Sequence, residues 1–195
     1  MAYIANTAFE QRVSNHEFDS MANITGKFYN GSDAAEECSA GFLCTKSALL
    51  PVDGYTGIDN ENSWKMVAAT SSATNVDAIY ACNTGDVAYA TNSASGANYK
   101  MGINTLGLSV PAGDWGTFTR IDFAGEGIYR IGAGNVSGTV GTNLYFTIDA
   151  GLFKTAAAAP TAGSGTPYFT LMGTGTFTEG VYAAGTYYDV QAHIA

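Results

Sequence analysis

The sequence predicts a mainly β fold, an antiparallel sandwich or a barrel-like domain with little helix. Three observations support this prediction. Glycine is abundant, at 24 of 195 residues, and the aromatic residues are 12 Tyr and 10 Phe against only 2 Trp. Several segments alternate apolar and polar side chains with a period of two, as half-buried strands do. Turn-forming residues separate these segments at intervals of about 8–12 residues, which is typical of all-β sandwiches and barrels.

The first part of the chain, residues 1–35, is predicted to form an N-terminal arm or a short helix. Its apolar side chains are too scattered to build a core of their own. We expect residues 1–22 to lie on a partner surface, because exposed apolar side chains of this kind are stable only when something covers them. The predicted anchors are Tyr3, Ile4, Phe9, Val13 and Phe18. The alternative is that this segment packs back on its own β domain.

Residues 36–153 are predicted to form the main β domain. Early strands are expected at residues 41–46 and 64–68, separated by a loop at residues 49–63 that contains Pro51. Further strands are expected at residues 78–82 and 87–90, which would pair as a hairpin, and at residues 117–123, 127–131 and 143–148. In the last strand of this series, Leu144, Phe146 and Ile148 are expected on one face, with Tyr145 and Thr147 on the other.

The segment at residues 154–167 is predicted to be a linker, because it is rich in small residues and contains two prolines, Pro160 and Pro167. Residues 168–195 follow as strands that either complete the main sheet or form a small hairpin lobe. The last strand is amphipathic, since apolar residues alternate with polar ones. Its expected core face consists of Tyr188, Val190, Ala192 and Ile194.

The composition disfavours several classes of partner. Eight Lys and Arg against 17 Asp and Glu give a formal net charge of −9, which argues against binding to nucleic acid or to an anionic membrane. We expect no membrane-spanning segment and no secretory signal, because no long apolar stretch follows a basic region. Cys38, Cys44 and Cys82 are an odd set without C-x-x-C spacing, so we expect reduced, buried thiols in a protein made in a cytoplasm.

Residues that commonly carry enzyme chemistry are sparse. The two histidines, His16 and His193, lie near opposite ends of the sequence, outside any zinc or Ser-His-Asp motif. Carboxylates that could form a glycosidase pair by residue type are Glu36, Glu37, Asp114, Asp122, Glu126 and Glu179. For Glu126, between glycines, a turn is the simpler interpretation. We therefore expect no catalytic residue, no cofactor and no metal, in a protein that binds or builds.

A series of short motifs resembles the capsid decoration proteins of tailed bacteriophages, of the head auxiliary or head-fibre type. In chain order these motifs are Gly102-Ile103-Asn104-Thr105, Pro111-Ala112-Gly113, Gly116-Thr117-Phe118-Thr119-Arg120, Gly125-Glu126-Gly127, Gly134-Asn135-Val136 and the strand from Tyr145 to Gly151. The alanine-rich segment at residues 156–161 is similar as well. Residues 1–35 do not contribute to the resemblance.

The resemblance implies a structural virion protein without enzymatic activity, made in the host cytoplasm and located on the capsid surface. Its expected partners are the phage major capsid protein and further copies of itself, for example in a trimer. A different class of function stays open beside it: an adhesin or tail-fibre module that binds host surface glycans through exposed Tyr and Asn side chains.

Overall fold

The chain is mainly β, as predicted. In the computed structural model, residues 9–13, 23–51, 59–70, 78–83, 88–91, 98–101, 109–177 and 185–195 are described. Most of the described residues lie in strands, and the described residues contain no α-helix. The strands are β1 Phe9–Val13, β2 Asn23–Phe28, β3 Cys38–Ser39, β4 Leu43–Pro51, β5 Asp59–Ala68, β6 Ile79–Asn83, β7 Ala88–Thr91, β8 Asn98–Met101, β9 Ser109–Val110, β10 Gly116–Arg120, β11 Ile128–Gly132, β12 Val136–Ser137, β13 Tyr145–Asp149, β14 Leu152–Ala156, β15 Pro167–Phe177 and β16 Gly185–Ile194.

Five of these strands close into a small barrel in the order β10-β2-β5-β4-β6. Neighbouring strands are antiparallel except β2 and β5, which run parallel. The core of the barrel includes Ile24, Phe28, Cys44, Met66, Tyr80, Cys82 and Phe118. At Gly26 a Cβ atom would lie 2.6 Å from the Trp64 carbonyl oxygen, so a side chain there would push β2 away from β5.

The second part is a seven-stranded sheet in the order β1-β11-β16-β15-β13-β14-β12. Its pairings are antiparallel except that of β12 with β14. One face of the sheet is buried and presents Tyr129, Ile131, Phe146, Ile148, Phe153, Phe169, Val190 and Ala192. The C-terminal strands β15 and β16 lie in the middle of this sheet, between β11 and β13.

Residues of two barrel strands also contribute to the core under the sheet. Leu43, Ile79 and Ala81 belong to barrel strands, yet their side chains pack with the buried face of the sheet. Their chain neighbours Cys44 and Tyr80 point into the barrel instead. Strand β6 and the first two residues of β4 are therefore covered on both faces, which explains why β6 is a continuous run of buried residues rather than an alternation.

Four of the predicted details are wrong. The hairpin expected between residues 78–82 and 87–90 does not form, because β6 pairs with β4 and β10 on its two sides while β7 pairs with β8. Ile194, expected on the core face of the last strand, is 42% exposed. The loop expected at residues 49–63 is strand over much of its length, because β4 continues to Pro51 and β5 begins at Asp59. Pro51 is the last residue of β4, a position at which a proline costs the sheet little. Leu144 was expected on the core face of β13, but it precedes that strand and is 53% exposed.

Residues 157–166 connect β14 to β15 and are mostly exposed. The end of the connection is held in place, since the Gly165 amide donates to the Ala195 carbonyl at 2.8 Å. Two further pairs of short strands, β3 with β9 and β7 with β8, complete the described architecture. Within the described ranges, no helix is long and apolar enough to cross a membrane.

Candidate binding surfaces

The outward face of the seven-stranded sheet is the larger candidate surface. Because side chains alternate along a strand, the residues between the buried ones point away from the core. On the four central strands these are mainly Arg130, Tyr145, Thr147, Tyr168, Thr170, Tyr187, Asp189, Gln191 and His193, all of them partly exposed. We call this set the sheet face. It is a broad surface of rings, amides and hydroxyls on a rigid support.

An ion pair with ideal geometry lies on the sheet face. Arg130 donates from Nε to Asp189 Oδ1 at 2.8 Å and from Nη2 to Asp189 Oδ2 at 2.9 Å. The two residues are direct cross-strand neighbours on β11 and β16. The guanidinium carbon also lies 3.8 Å from the centre of the Tyr187 ring. The planar Arg130 side chain is thus held both at its edge and on its face.

A second group on the sheet face is aromatic. The Tyr168 ring stacks on His193, with centroids 5.2 Å apart, and its centroid is 6.4 Å from that of Tyr145. His193 Nδ1 lies 3.2 Å from Glu126 Oε1, and Gln191 Nε2 donates to the other oxygen of that carboxylate at 3.4 Å. These contacts fix the rings relative to one another, so the surface is ordered before any partner binds.

Two exposed apolar side chains border the sheet face. Leu144 is 53% exposed and Met172 is 56% exposed. The Leu171 amide donates to the Leu144 carbonyl at 2.8 Å, so the backbone of Leu144 pairs with the residue that precedes Met172. Exposed apolar surface at the border of such a face is a common feature of protein contact sites.

The smaller candidate surface is a pocket beside Trp115, with a volume of about 380 Å³. We call it the Trp115 pocket. Its lining includes Asn83 at the end of β6 and Ser109 on β9. Asp114 and Trp115, just before β10, and Thr117 on β10 also line it. The Asp114 amide donates to the Pro111 carbonyl at 3.1 Å, and Gly113 has φ +82°, so residues 111–114 form a tight turn with glycine at the left-handed position. This turn places Asp114 and Trp115 at the rim.

The indole of Trp115 lies outside both cores and is 39% exposed. The Lys27 ammonium lies over the ring, 4.2 Å from its centre. Among the described residues, neither the Asp114 carboxylate, nor the Trp115 indole N–H, nor the Thr117 hydroxyl makes a side-chain hydrogen bond. Three polar groups that make no side-chain hydrogen bond within the described residues therefore lie in or beside a partly exposed aromatic side chain.

The three cysteines are buried at one place in the barrel core and are not bonded to one another by disulfides. Burial raises the pKa of the Cys38 and Cys44 thiols. For Cys82, the hydrogen bond with Cys38 is the larger cause of a raised pKa, and burial adds to it. These thiols are protonated and shielded from reagents in the folded chain, so they do not form a nucleophilic site.

Of the five predicted anchors, only Phe9 has a described side chain. Its ring is 3% exposed and stacks on Tyr129 at 5.5 Å, because β1 pairs with β11 at the edge of the sheet. Phe9 is therefore part of the core of its own chain and is not available to a partner. For this residue, the structure agrees with the alternative that the N-terminal segment packs on its own β domain. Tyr3, Ile4 and Phe18 lie outside the described residues, as does the side chain of Val13, and their role as anchors stays a prediction.

Two of the carboxylates considered as a glycosidase pair, Asp122 and Glu126, lie in one turn. Glu126 lies in the predicted turn, with φ 53°, where the Gly127 amide donates to the Asp122 carbonyl at 2.8 Å. Asp122 is buried and accepts a hydrogen bond from the Gly125 amide at 2.7 Å, as expected of a turn-stabilising residue. His16 and Glu179 lie outside the described residues.

The Trp115 pocket was not predicted from the sequence. A local signal was present, in that a Pro-Ala-Gly-Asp turn is followed directly by a tryptophan.

Among the described residues, no group of three or more His, Cys, Asp or Glu side chains is arranged to hold a metal ion. No protein-family model, no curated protein and no solved structure matches this chain.

Proposed function

We propose that this chain is a non-enzymatic structural virion protein, a capsid decoration or cement protein that binds the outer surface of a phage head. There it stabilises the head or presents a surface. The motif resemblance between residues 102 and 161 supports the proposal. The structural observation that carries it is the ordered sheet face with Leu144 and Met172 exposed at its border.

The sheet face is suited to contact with another protein because its charges are already paired. Arg130 is neutralised by Asp189, and on the neighbouring strands Lys154 pairs with Asp149 at 2.8 Å. When a partner covers such a face, few unpaired charges lose their contact with water, so the desolvation cost is small. Leu144 and Met172 then supply apolar area that is worth about 1–2 kcal/mol each when fully buried. We expect an attachment that salt weakens little, since surface charge contributes little to it.

The proposed partners are the phage major capsid protein and further copies of the chain, and the proposed location is the capsid surface after synthesis in the host cytoplasm. A homo-oligomer such as a trimer would place several sheet faces on neighbouring coat subunits. Several weak contacts held together bind far more tightly than one, because the later contacts form within one complex.

The test mixes the purified full chain with phage heads that lack their decoration protein and measures co-sedimentation. The proposal predicts saturable binding at a fixed number of copies per head. The variant Leu144→Ser with Met172→Ser should weaken binding about tenfold or more without changing the melting temperature. Ile194→Ser is the matched control, because Ile194 is also exposed, at 42%, but lies at the end of β16. The absence of binding by the unmodified chain would exclude the proposal.

The alternative function, an adhesin or tail-fibre module that binds host surface glycans, is favoured by one observation. The Trp115 pocket combines an exposed ring with polar groups that have no partner in the described residues. This feature lies on the barrel and is independent of the sheet face.

A further inference from the structure

The exposed ring of Trp115 is not required by either core. Its chain neighbour Gly116 packs on Val110, where a Cβ atom would lie 2.8 Å from Val110 Cγ2, and Phe118 fills the barrel. Trp115 itself lies between the turn and β10, with its ring at the rim of the pocket. A tryptophan is a large apolar surface with one N–H donor, and in binding sites both parts are commonly used.

The groups around the ring match the chemistry of a sugar. The Lys27 ammonium covers one face of the Trp115 ring, so a ligand would pack on the other face. One face of a pyranose ring presents C–H groups with partial positive charge, and such groups pack on the electron-rich face of an indole. Its hydroxyls need acceptors and donors at the edge of that ring. Asp114 supplies an acceptor, the indole N–H a donor, and the Thr117 hydroxyl can be either. Pockets that combine an aromatic wall with a few convergent polar groups are typical small-ligand sites.

The charges at the pocket favour an uncharged ligand. The chain has a net charge of −9, and Asp114 lies at the rim, so a carboxylate or sulfate on the ligand would be repelled. The Lys27 ammonium lies over the Trp115 ring, and a ligand amine would meet this positive charge. Hydroxyl and acetamido groups carry no charge, so neither Asp114 nor Lys27 repels them.

We propose that the Trp115 pocket binds a neutral saccharide unit, a hexose or an N-acetylhexosamine. This inference goes beyond attachment to a capsid, because it concerns the barrel and a carbohydrate, whereas the capsid proposal concerns the sheet face and a protein. A chain with both sites would hold a glycan at the surface of the particle it decorates.

The experiment is saturation-transfer difference NMR on the full chain with methyl glucoside, methyl galactoside and N-acetylglucosamine as probes. A sialic acid glycoside serves as the charged comparison. We expect saturation transfer to the C–H protons of at least one neutral probe, with a dissociation constant in the range of about 1 mM. The same neutral unit displayed on an immobilised glycan should be bound as well, since neighbouring copies on one surface add avidity.

Trp115→Ala should reduce the affinity about tenfold or more at an unchanged melting temperature. Asp114→Asn replaces an exposed turn residue and should also weaken saccharide binding. If Trp115→Ala does not fold, this second variant tests the proposed site. Tyr168→Ala, an aromatic residue of the sheet face, is the control and should bind normally. No transfer to any neutral probe, an undiminished signal in Asp114→Asn and Trp115→Ala, or preference for the sialic acid glycoside would each overturn the inference. Binding to heads by the Trp115→Ala chain is measured separately, so the capsid proposal can fail or succeed independently.

Discussion

The ring of Phe42 lies against the backbone of Gly151, so closely that a Cβ atom at position 151 would come within 2.1 Å of Phe42 Cζ. Gly151 belongs to the turn between β13 and β14 of the sheet, and Phe42 precedes β4 of the barrel. The Gly151 amide donates to the Ala69 carbonyl at 2.8 Å, and its carbonyl accepts from the Leu43 amide at 2.8 Å. One glycine therefore connects the sheet to two segments of the barrel.

Gly151→Ala is expected to destabilise the whole chain by about 3 kcal/mol, because the methyl group displaces Phe42 and because φ +80° is strained for alanine. Gly163→Ala is the matched control. Gly163 has nearly the same φ, +78°, but no atom within 4 Å of its Cβ position, so it should lose only about 1 kcal/mol. Urea unfolding of both variants measures the difference. Equal losses would mean that the contact with Phe42 is not important.

The buried thiols predict a loss of stability in alkali. Their pKa values are raised in the folded chain, whereas in the unfolded chain a thiol ionises near pH 8.5. Above that pH the unfolded state binds fewer protons than the folded state, so the free energy of unfolding falls as pH rises. Urea unfolding at pH 8 and pH 9.5 measures this fall. The variant with alanine at positions 38, 44 and 82 should show a smaller fall, and an equal fall would assign the effect to other groups.

The same burial predicts how the thiols react. Under native conditions a maleimide should modify them slowly, because reaction requires the barrel to open. In denaturant without reductant, intact-mass measurement should show modification at Cys38, Cys44 and Cys82. A chain that takes up only one label in denaturant would contain a disulfide and contradict the structure.

The ion pair on the sheet face should contribute measurably to stability, since both side chains are less than one third exposed. Arg130→Lys keeps the charge but loses the two-point geometry and the contact with Tyr187, and it should cost about 1 kcal/mol. A double-mutant cycle with Asp189→Asn isolates the pair energy. A coupling energy near zero would show that the pair is only a surface contact of the weak kind.

Period-two alternation predicted those elements that have one buried face. Val190 and Ala192 are buried as expected, and Trp64 and Met66 share a face toward the barrel core. Alternation failed where a strand lies between the two parts of the core. On β10 and in the residues after it, Phe118 faces the barrel while Ile121 packs with the sheet, so buried side chains lie on both sides of this segment. Closure of the barrel could not be predicted, because it depends on pairings between distant segments.

The Trp115 pocket could not be predicted from the sequence, because it too depends on pairing between distant segments. Asn83 reaches it only because β6 pairs with β10, with Asn83 opposite Thr117. The sequence shows the turn and the tryptophan but not the residues that converge on them. The sheet face was partly predictable: the outward positions of Tyr187, Asp189, Gln191 and His193 follow from the alternation of β16.

The connection at residues 157–166 is expected to be an early site of proteolysis. It is mostly exposed and contains Ala157, Ala158 and Ala159, small residues after which elastase cleaves. Brief digestion followed by intact-mass measurement should give two fragments with ends between residues 156 and 165. Because β15 and β16 are central in the sheet, we expect the fragments to remain associated until denaturant is added. First cleavage elsewhere would count against an exposed connection.

The N-terminal segment gives the sharpest separation between a partner contact and self-packing. Phe9 is buried against Tyr129 at the edge of the sheet, so Phe9→Ala should leave a cavity and lower the free energy of unfolding by about 3 kcal/mol. It should leave head binding unchanged at temperatures where the variant is folded. Phe18→Ala, at a predicted anchor outside the described residues, is the comparison: as an anchor it should weaken head binding and spare the melting temperature. Thermal unfolding and co-sedimentation of both variants decide between the two roles. If Phe9→Ala left stability unchanged and abolished binding, β1 would be an arm that the partner holds, and its place in the sheet would be secondary.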